Sequence, residues 1–119
     1  MINKQELENA DIDYNSGIVR FVGKEDLYEK YLCKFLENDS IRLANDEYIN
    51  QNYTGVLEVI HTLKGTSGTL GMTNLYTDCS SLVDNIRAGH TDEIEFMLYK
   101  VETELNICME AVKKALNII

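Results

Sequence analysis

Apolar residues recur every three or four positions along most of the chain, which is the spacing of one face of an α-helix. A clear run of this kind follows Gly23, and another extends from Ile94 to Val112. No stretch of alternating β-branched residues is bounded by turn signals, as a strand would be. The pattern therefore predicts an all-helical chain. The apolar positions of the first run are Leu27, Tyr28, Tyr31, Leu32, Phe35 and Leu36.

Glycines and capping residues indicate where these helices begin and end. The stretch from Asn38 to Asn52 is rich in asparagine and aspartate, whose side chains compete for backbone groups, so we expect a kink or break there. A short helix is predicted over about Ser16 to Val22, followed by a long helix from Lys24 whose pattern resumes through Ile49. The next helix is predicted over Thr54 to Leu70, with Asn52 or Thr54 as its cap. Another helix begins at Thr73 or Asn74 and stops at Gly89, and the last helix is capped by Thr91.

Length and composition limit the architecture. With 119 residues, 45% of them hydrophobic, the chain has room for one core but not for a second domain with a catalytic cleft. Short connections favour antiparallel neighbours. We therefore predict a single domain over residues 1–119, built as an antiparallel up-down four-helix bundle with a short extra N-terminal helix. Residues 1–13 are polar, and we expect this segment to be poorly ordered.

The predicted helix from Thr54 to Leu70 has two distinct faces. At about 100° per residue, one set of side chains falls within a sector of roughly 80° and forms a buried stripe. A second strip lies on the neighbouring face, because residues three, four and seven apart are neighbours on a helix surface. The stripe comprises Val56, Ile60, Leu63, Ser67 and Leu70, and the second strip comprises Leu57, His61, Lys64, Gly65 and Gly68.

The second strip combines residues that suit group transfer. A glycine inside a helix destabilises it by about 1 kcal/mol relative to alanine, so the presence of Gly65 and Gly68 requires an explanation. Because neither has a side chain, we interpret them as leaving the surface beside His61 accessible to another protein. Near neutral pH the unprotonated imidazole nitrogen is a nucleophile. The ammonium of Lys64 can reach over a phosphoryl group on the ring, whose oxygens are strong acceptors. The strip therefore indicates a phosphorylated histidine stabilised by Lys64.

The segment IHTLKGTSGTLG resembles the signature of histidine-containing phosphotransfer (HPt) domains, His-x-Leu-Lys-Gly-x-Ser-x-x-Leu-Gly. The resemblance extends to the segments before and after this helix, and it covers nearly the whole chain beyond about Ser16. It implies a phosphocarrier in a multistep His-Asp phosphorelay, in which His61 accepts a phosphoryl group from a receiver-domain aspartate and passes it to another receiver. The residues that match the signature are His61, Leu63, Lys64, Gly65, Ser67, Leu70 and Gly71.

The resemblance also implies partners and roles. Response-regulator receiver domains and a hybrid histidine kinase would be the partners. The receiver would hold Mg²⁺, so the chain would need no cofactor or metal and would be a relay intermediate rather than an enzyme. Leu57, Glu58, Gly65 and Gly68 would provide partner access and docking. Many relatives carry a glutamine or similar polar residue on the following helix, but residues 80–83 here read SSLV, so a second phosphate ligand is unassigned.

Other interpretations are open at this point. The chain could be a degenerate or regulatory bundle that docks on receivers without carrying phosphate. Gly65 could merely permit close helix packing. Glu58 and His61 form a Glu-x-x-His pair, but di-iron bundles need that pair twice. His90 is interpreted as a loop residue. Because Met1 opens the chain without a kinase or receiver segment, we expect a free-standing shuttle, the alternative being a fragment of a larger protein.

The net charge of −9 argues against nucleic-acid binding, which needs a basic surface. No apolar leader and no run of 18 apolar residues is present, so we expect a cytoplasmic protein without membrane association. Cys33, Cys79 and Cys108 are widely spaced in helical patterns and are interpreted as reduced core thiols. We expect a monomer, because no extra apolar stripe is available for a two-fold helical dimer.

Overall fold

Helices account for the regular structure of the computed structural model, which describes residues 1–118. The prediction of an all-helical chain is confirmed for these residues, and an isolated antiparallel bridge joins Ile12 to Met72. Within residues 1–118, no helix combines the length and apolar character needed to cross a bilayer. The described helices are α1 (Lys4–Glu8), α2 (Tyr14–Val19), α3 (Glu25–Phe35), α4 (Ser40–Ile49), α5 (Tyr53–Leu70), α6 (Thr73–Arg87) and α7 (Ile94–Ala115).

The helices pack around one hydrophobic core. Helix α5 contacts α4 on one side and α6 on the other, and α7 contacts both α6 and α4. Helix α1 packs on α7, whereas α2 and α3 lie against α5. Tyr28 of α3 is fully buried, and its hydroxyl donates a 2.7 Å hydrogen bond to the carbonyl of Leu70 at the end of α5. The core therefore holds α5 on several sides.

Both ends of α5 are closed by local interactions. The Asn52 side chain accepts a hydrogen bond from the Gly55 amide, which confirms Asn52 as the cap. At the other end Gly71 adopts φ 79°, a conformation that favours glycine. A Cβ at Gly71 would collide with the Asp13 carbonyl oxygen, so the close approach of the chain also requires glycine. The predicted buried stripe is confirmed: Val56, Ile60, Leu63, Ser67 and Leu70 are all buried.

The N-terminal segment differs from the prediction. Residues 1–13 were expected to be poorly ordered, but they form α1 and pack on the core. Leu7 and Ile12 are 0% and 1% exposed, and the Asn3 side chain caps α1 by accepting a hydrogen bond from the Gln5 amide. A few widely spaced apolar residues are enough to anchor this segment, because the side chains of Leu7 and Ile12 are almost completely buried. The amide of Asn3 also donates to the Ala115 carbonyl, which fastens the segment to α7.

Several helix boundaries also differ. The expected break in the long helix is present, but only at the start of the predicted stretch. Helix α3 ends at Phe35 and α4 begins at Ser40, whose amide donates to the Asn38 side chain, and α4 then continues to Ile49 through the Asn- and Asp-rich residues. The short helix begins earlier than Ser16, since Asp13 caps it. The predicted cap Thr91 is wrong: α7 starts at Ile94, with Glu93 at the cap position and no side-chain capping bond. Burial of Ile94 fixes that start in place of a polar cap.

Candidate functional site

His61 lies on the solvent-exposed side of α5, near the middle of the helix. Its neighbours Ile60 and Leu63 are both fully buried, so they anchor this turn of the helix in the core. The backbone around the histidine is therefore held rigidly while the imidazole stays open to solvent. This is the arrangement that attack on a group carried by another protein requires, because the nucleophile must be reachable and fixed.

Lys64 follows one turn later and is half-buried. Its Nζ lies 5.6 Å from the centre of the Tyr76 ring, within the range of a cation–π interaction. Among the described residues, no carboxylate lies within 4.0 Å of this ammonium, whereas Lys100 and Lys113 each have one. The Lys64 charge is therefore not neutralised by a partner and is available to an incoming anion.

Gly65 faces open space. A Cβ added at this position would meet nothing within 4 Å beyond its own helical turn. Helix packing therefore does not require glycine here, which argues against the alternative that Gly65 merely permits close approach of helices. Its effect is to leave bare backbone on the surface one turn from His61.

Two grooves meet at Gly65. We call the first the α3 groove; it has a volume of about 480 Å³, and its lining includes Phe21, Tyr31, Lys34 and Phe35. We call the second the α6 groove; it has a volume of about 410 Å³, and its lining includes Arg20, Gly68, Thr73 and Tyr76. His61 lines neither groove, whereas Thr62, the next residue, lines the α3 groove.

Gly68 has a different environment from the one predicted. A Cβ at Gly68 would lie 3.0 Å from Cδ1 of Tyr76, which is tighter than ordinary van der Waals contact. The small residue thus makes room for an aromatic ring of α6 instead of exposing backbone to a partner. The two glycines therefore have different surroundings, open space at Gly65 and an aromatic ring at Gly68, which the spacing from His61 alone did not distinguish.

The two predicted docking residues before His61 also differ from each other. Leu57 is half-buried and packs against the core, so only part of its side chain faces solvent. Glu58 is exposed, and its backbone carbonyl accepts a hydrogen bond from the Thr62 hydroxyl. The Glu58 side chain is therefore more accessible to a partner than that of Leu57.

The charges around Gly65 are distributed unevenly. Lys34 lines the α3 groove and Arg20 lines the α6 groove, and within the described residues no carboxylate lines either groove. Another groove, between α1 and α7, does hold carboxylates: Glu6 and Glu110 line it together with Lys114. In a chain with 20 acidic and 11 basic residues, this acid-free lining makes the neighbourhood of Gly65 favourable for an anion.

Sequence reasoning missed the residues that surround the helix from other elements. Tyr76, Arg20 and Lys34 are distant from His61 along the chain and belong to no motif. A weak signal did exist, since Tyr76 occupies an exposed helix position where a polar residue is more usual; 41% of it is exposed. Its relation to Lys64 becomes visible only once α5 and α6 are packed together.

Other reactive side chains lie away from this region. Cys79 and Cys108 are buried, and burial raises the pKa of each thiol to about 12, so both are poor nucleophiles. Cys33 is exposed, which corrects its assignment as a core thiol. His90 lies in the turn after α6, with its amide donating to the Asn85 carbonyl, as expected for a loop residue. Within residues 1–118, no three His, Cys, Asp or Glu side chains are grouped to hold a metal ion.

Comparison with known proteins finds a distant similarity to a signalling kinase. The chain is 26% identical over 109 residues to the signal transduction histidine-protein kinase BarA of Escherichia coli strain K12, and equally to BarA of Escherichia coli O157:H7. The aligned region is 88% of this chain but 12% of BarA, so the chain spans about an eighth of the length of these relatives. No protein-family model matches the chain, and no solved structure matches it.

Proposed function

We propose that this protein is a phosphocarrier in a His-Asp phosphorelay, with His61 as the phosphorylated residue. The observation that carries the proposal is the exposed His61 on a rigid helix, followed within one turn by an unpaired Lys64 and the open backbone of Gly65. The resemblance of this segment to HPt domains and the similarity to a signal transduction histidine-protein kinase support the same role.

The transfer is a phosphoryl exchange between two nucleophiles. An unprotonated ring nitrogen of His61 attacks the phosphorus of an aspartyl phosphate on a receiver domain. A nitrogen–phosphorus bond forms, the bond from phosphorus to the aspartate oxygen breaks, and the carboxylate leaves with the electron pair. In the onward step the carboxylate of a second receiver attacks the phosphorus, and the imidazole leaves. Lys64 stabilises the negative charge on the phosphoryl oxygens in both directions.

The receiver supplies what this chain does not. In the proposal its Mg²⁺ neutralises the phosphoryl oxygens, and the chain acts as a relay intermediate, not an enzyme. Gly65 and the exposed part of the surface before His61, including Glu58, provide docking, and the partners are receiver domains and a hybrid histidine kinase. The proposal includes a monomeric, cytoplasmic single domain in which α4 to α7 follow an antiparallel up-down order, which their short connections favour.

The test is transfer of labelled phosphate. The purified protein is incubated with a receiver domain carrying ³²P-labelled aspartyl phosphate and Mg²⁺, and the label is tested for acid lability and base stability. We expect such label on the native protein and on His90→Gln, but none on His61→Gln, whose helix content and melting temperature should match the native protein because His61 is exposed.

Two outcomes would contradict the proposal. Strong label on His61→Gln would place the phosphate elsewhere. No label on the native protein from a panel of receivers that bind it would instead support a regulatory bundle that docks without carrying phosphate.

A further inference from the structure

We infer that Tyr76 is a positioning residue for Lys64: its ring restrains the ammonium of this lysine, which follows His61 by one helical turn, and the ring itself packs against Gly68. This inference rests on the proposed function, because the ammonium is useful there only if His61 carries a phosphoryl group. It assigns a role on α6 to a residue that belongs to no motif of the histidine helix.

The geometry of three residues carries the inference. The Lys64 ammonium lies 5.6 Å from the centre of the Tyr76 ring. The same ring packs against Gly68, where an added Cβ would come within 3.0 Å of Cδ1 and 3.2 Å of Cε1. The ring therefore contacts α5 at a glycine and a lysine that are one helical turn apart. A Cβ at position 68 would require the ring to shift by a few tenths of an ångström.

Lys64 needs such a support more than other lysines do. A lysine side chain has four rotatable bonds, so fixing it in one conformation costs much side-chain entropy. Lys100 and Lys113 are held by Asp78 and Glu110, but a carboxylate beside Lys64 would compete with a phosphoryl group for the ammonium. An aromatic face restrains a cation without neutralising its charge. Tyr76 therefore orients Lys64 and leaves it able to bind the anion.

The contact itself can be measured without phosphotransfer. Protons on the carbon next to Nζ of Lys64 should resonate upfield of those of Lys100, whose ammonium pairs with Asp78, because the Lys64 protons lie over the ring. Tyr76→Leu should remove this upfield shift and Tyr76→Phe should keep it, since the cation interacts with the ring face and not with the hydroxyl. A Lys64 resonance that is the same in the native protein and in Tyr76→Leu would overturn the inference.

The role in transfer is tested by a double-mutant cycle. Tyr76→Leu should slow transfer from a phosphorylated receiver by about two- to five-fold, the factor expected for a partly exposed cation–π contact. Tyr76→Phe should restore the native rate. In the Lys64→Ala background the same Tyr76→Leu change should have no further effect, because a positioning residue acts only through the residue that it positions. Tyr99→Leu, which removes another exposed tyrosine on α7, is the matched control.

The outcomes separate this inference from the proposed function. Equal slowing by Tyr76→Leu with and without Lys64 would show a general structural effect and overturn the inference, as would an unchanged rate in the native background. If the native protein accepted no label, the proposed function would fail. The role assigned to Tyr76 in transfer would then fail with it, and the nuclear magnetic resonance measurement would still decide whether the contact exists.

Discussion

The two grooves beside Gly65 and the seam between α6 and α7 differ in charge. Among the described residues, only cations are charged lining residues of the grooves, whereas the carboxylates of Asp78 and Glu104 lie at the seam together with Lys100. Lys34 and Arg20 are the charged lining residues on either side of Gly65. At the seam, Glu104 has a buried Oε2 without a hydrogen-bond partner among the described residues, and burial, followed by the charge of Asp78, raises its pKa. The net charge of −9 is thus not spread evenly.

This contrast indicates where an anion is received best. In a chain with an excess of carboxylates, the carboxylate-free grooves beside Gly65 are the more favourable surface for a phosphoryl group or an acidic partner. The buried Oε2 of Glu104, in contrast, has no hydrogen-bond partner among the described residues and costs folding free energy. If this comparison is correct, changes of charge near Gly65 alter transfer and leave stability unchanged, whereas changes at the seam do the reverse.

The largest expected effect comes from placing a carboxylate between the two grooves. Gly65→Glu should lower the transfer rate by about 100-fold, and the neutral Gly65→Gln of the same size by about 10-fold, because the first adds repulsion to obstruction. Neither should lower the melting temperature, since a side chain at Gly65 enters open space and both residues favour helix more than glycine does. Transfer rates and thermal unfolding of both variants test this.

Equal slowing by the two variants would show that obstruction alone explains the effect, and that negative charge near Gly65 does not affect transfer. Transfer at the native rate by both would remove Gly65 from the docking surface altogether and would leave the glycine without a role in access.

The next effect concerns the unpaired cation. Lys64→Ala should slow transfer by about 10-fold, the loss expected for one charge-assisted hydrogen bond to the phosphoryl oxygens. The matched control is Lys100→Ala, which removes a lysine that pairs with Asp78 at the seam, 3.9 Å away. That variant should transfer at the native rate. Similar slowing by both variants would mean that overall charge matters and that the position of Lys64 does not.

The sequence predicted the helices well where the spacing of apolar residues and the capping residues indicate the same boundaries. The buried stripe of α5, its cap Asn52 and the break before Ser40 are visible in the spacing and type of residues. The prediction failed at the N-terminus, where Leu7 and Ile12 are too widely spaced to reveal a helical face, yet each is fully buried. It also failed at Thr91, because a good capping residue has no effect where burial of Ile94 sets the start of the helix.

The candidate site was predictable only along one helix. His61, Lys64 and Gly65 lie close together in sequence, so helical geometry alone places them on one surface. The neighbours from other helices could not be predicted, because contact between Tyr76 and Gly68 depends on how α5 and α6 pack. A spacing rule treats Gly65 and Gly68 alike, although one faces open space and the other faces an aromatic ring.

The smallest effect is expected at the seam, and it concerns stability. The pKa of Glu104 is raised above its ordinary value of 4.5, first by burial and then by Asp78 and Asp11. The folded state therefore holds this proton more tightly than the unfolded chain, and stability falls as pH rises through the range between the two pKa values. Glu104→Gln should raise the melting temperature at pH 7, and this gain should shrink as the pH falls towards 4 and the native carboxyl takes up its proton. Transfer should be unchanged.

Thermal unfolding between pH 4 and pH 8 checks this sign, with Glu102→Gln on the same helix as the control for losing one negative charge. A gain for Glu104→Gln that persists undiminished at pH 4 would attribute the effect to packing, because ionisation no longer differs there. A loss of transfer in Glu104→Gln would be more damaging, since it would connect the acidic seam to the chemistry at His61. The two regions would then act together, and the separation of charge between them would no longer explain where the phosphoryl group is received.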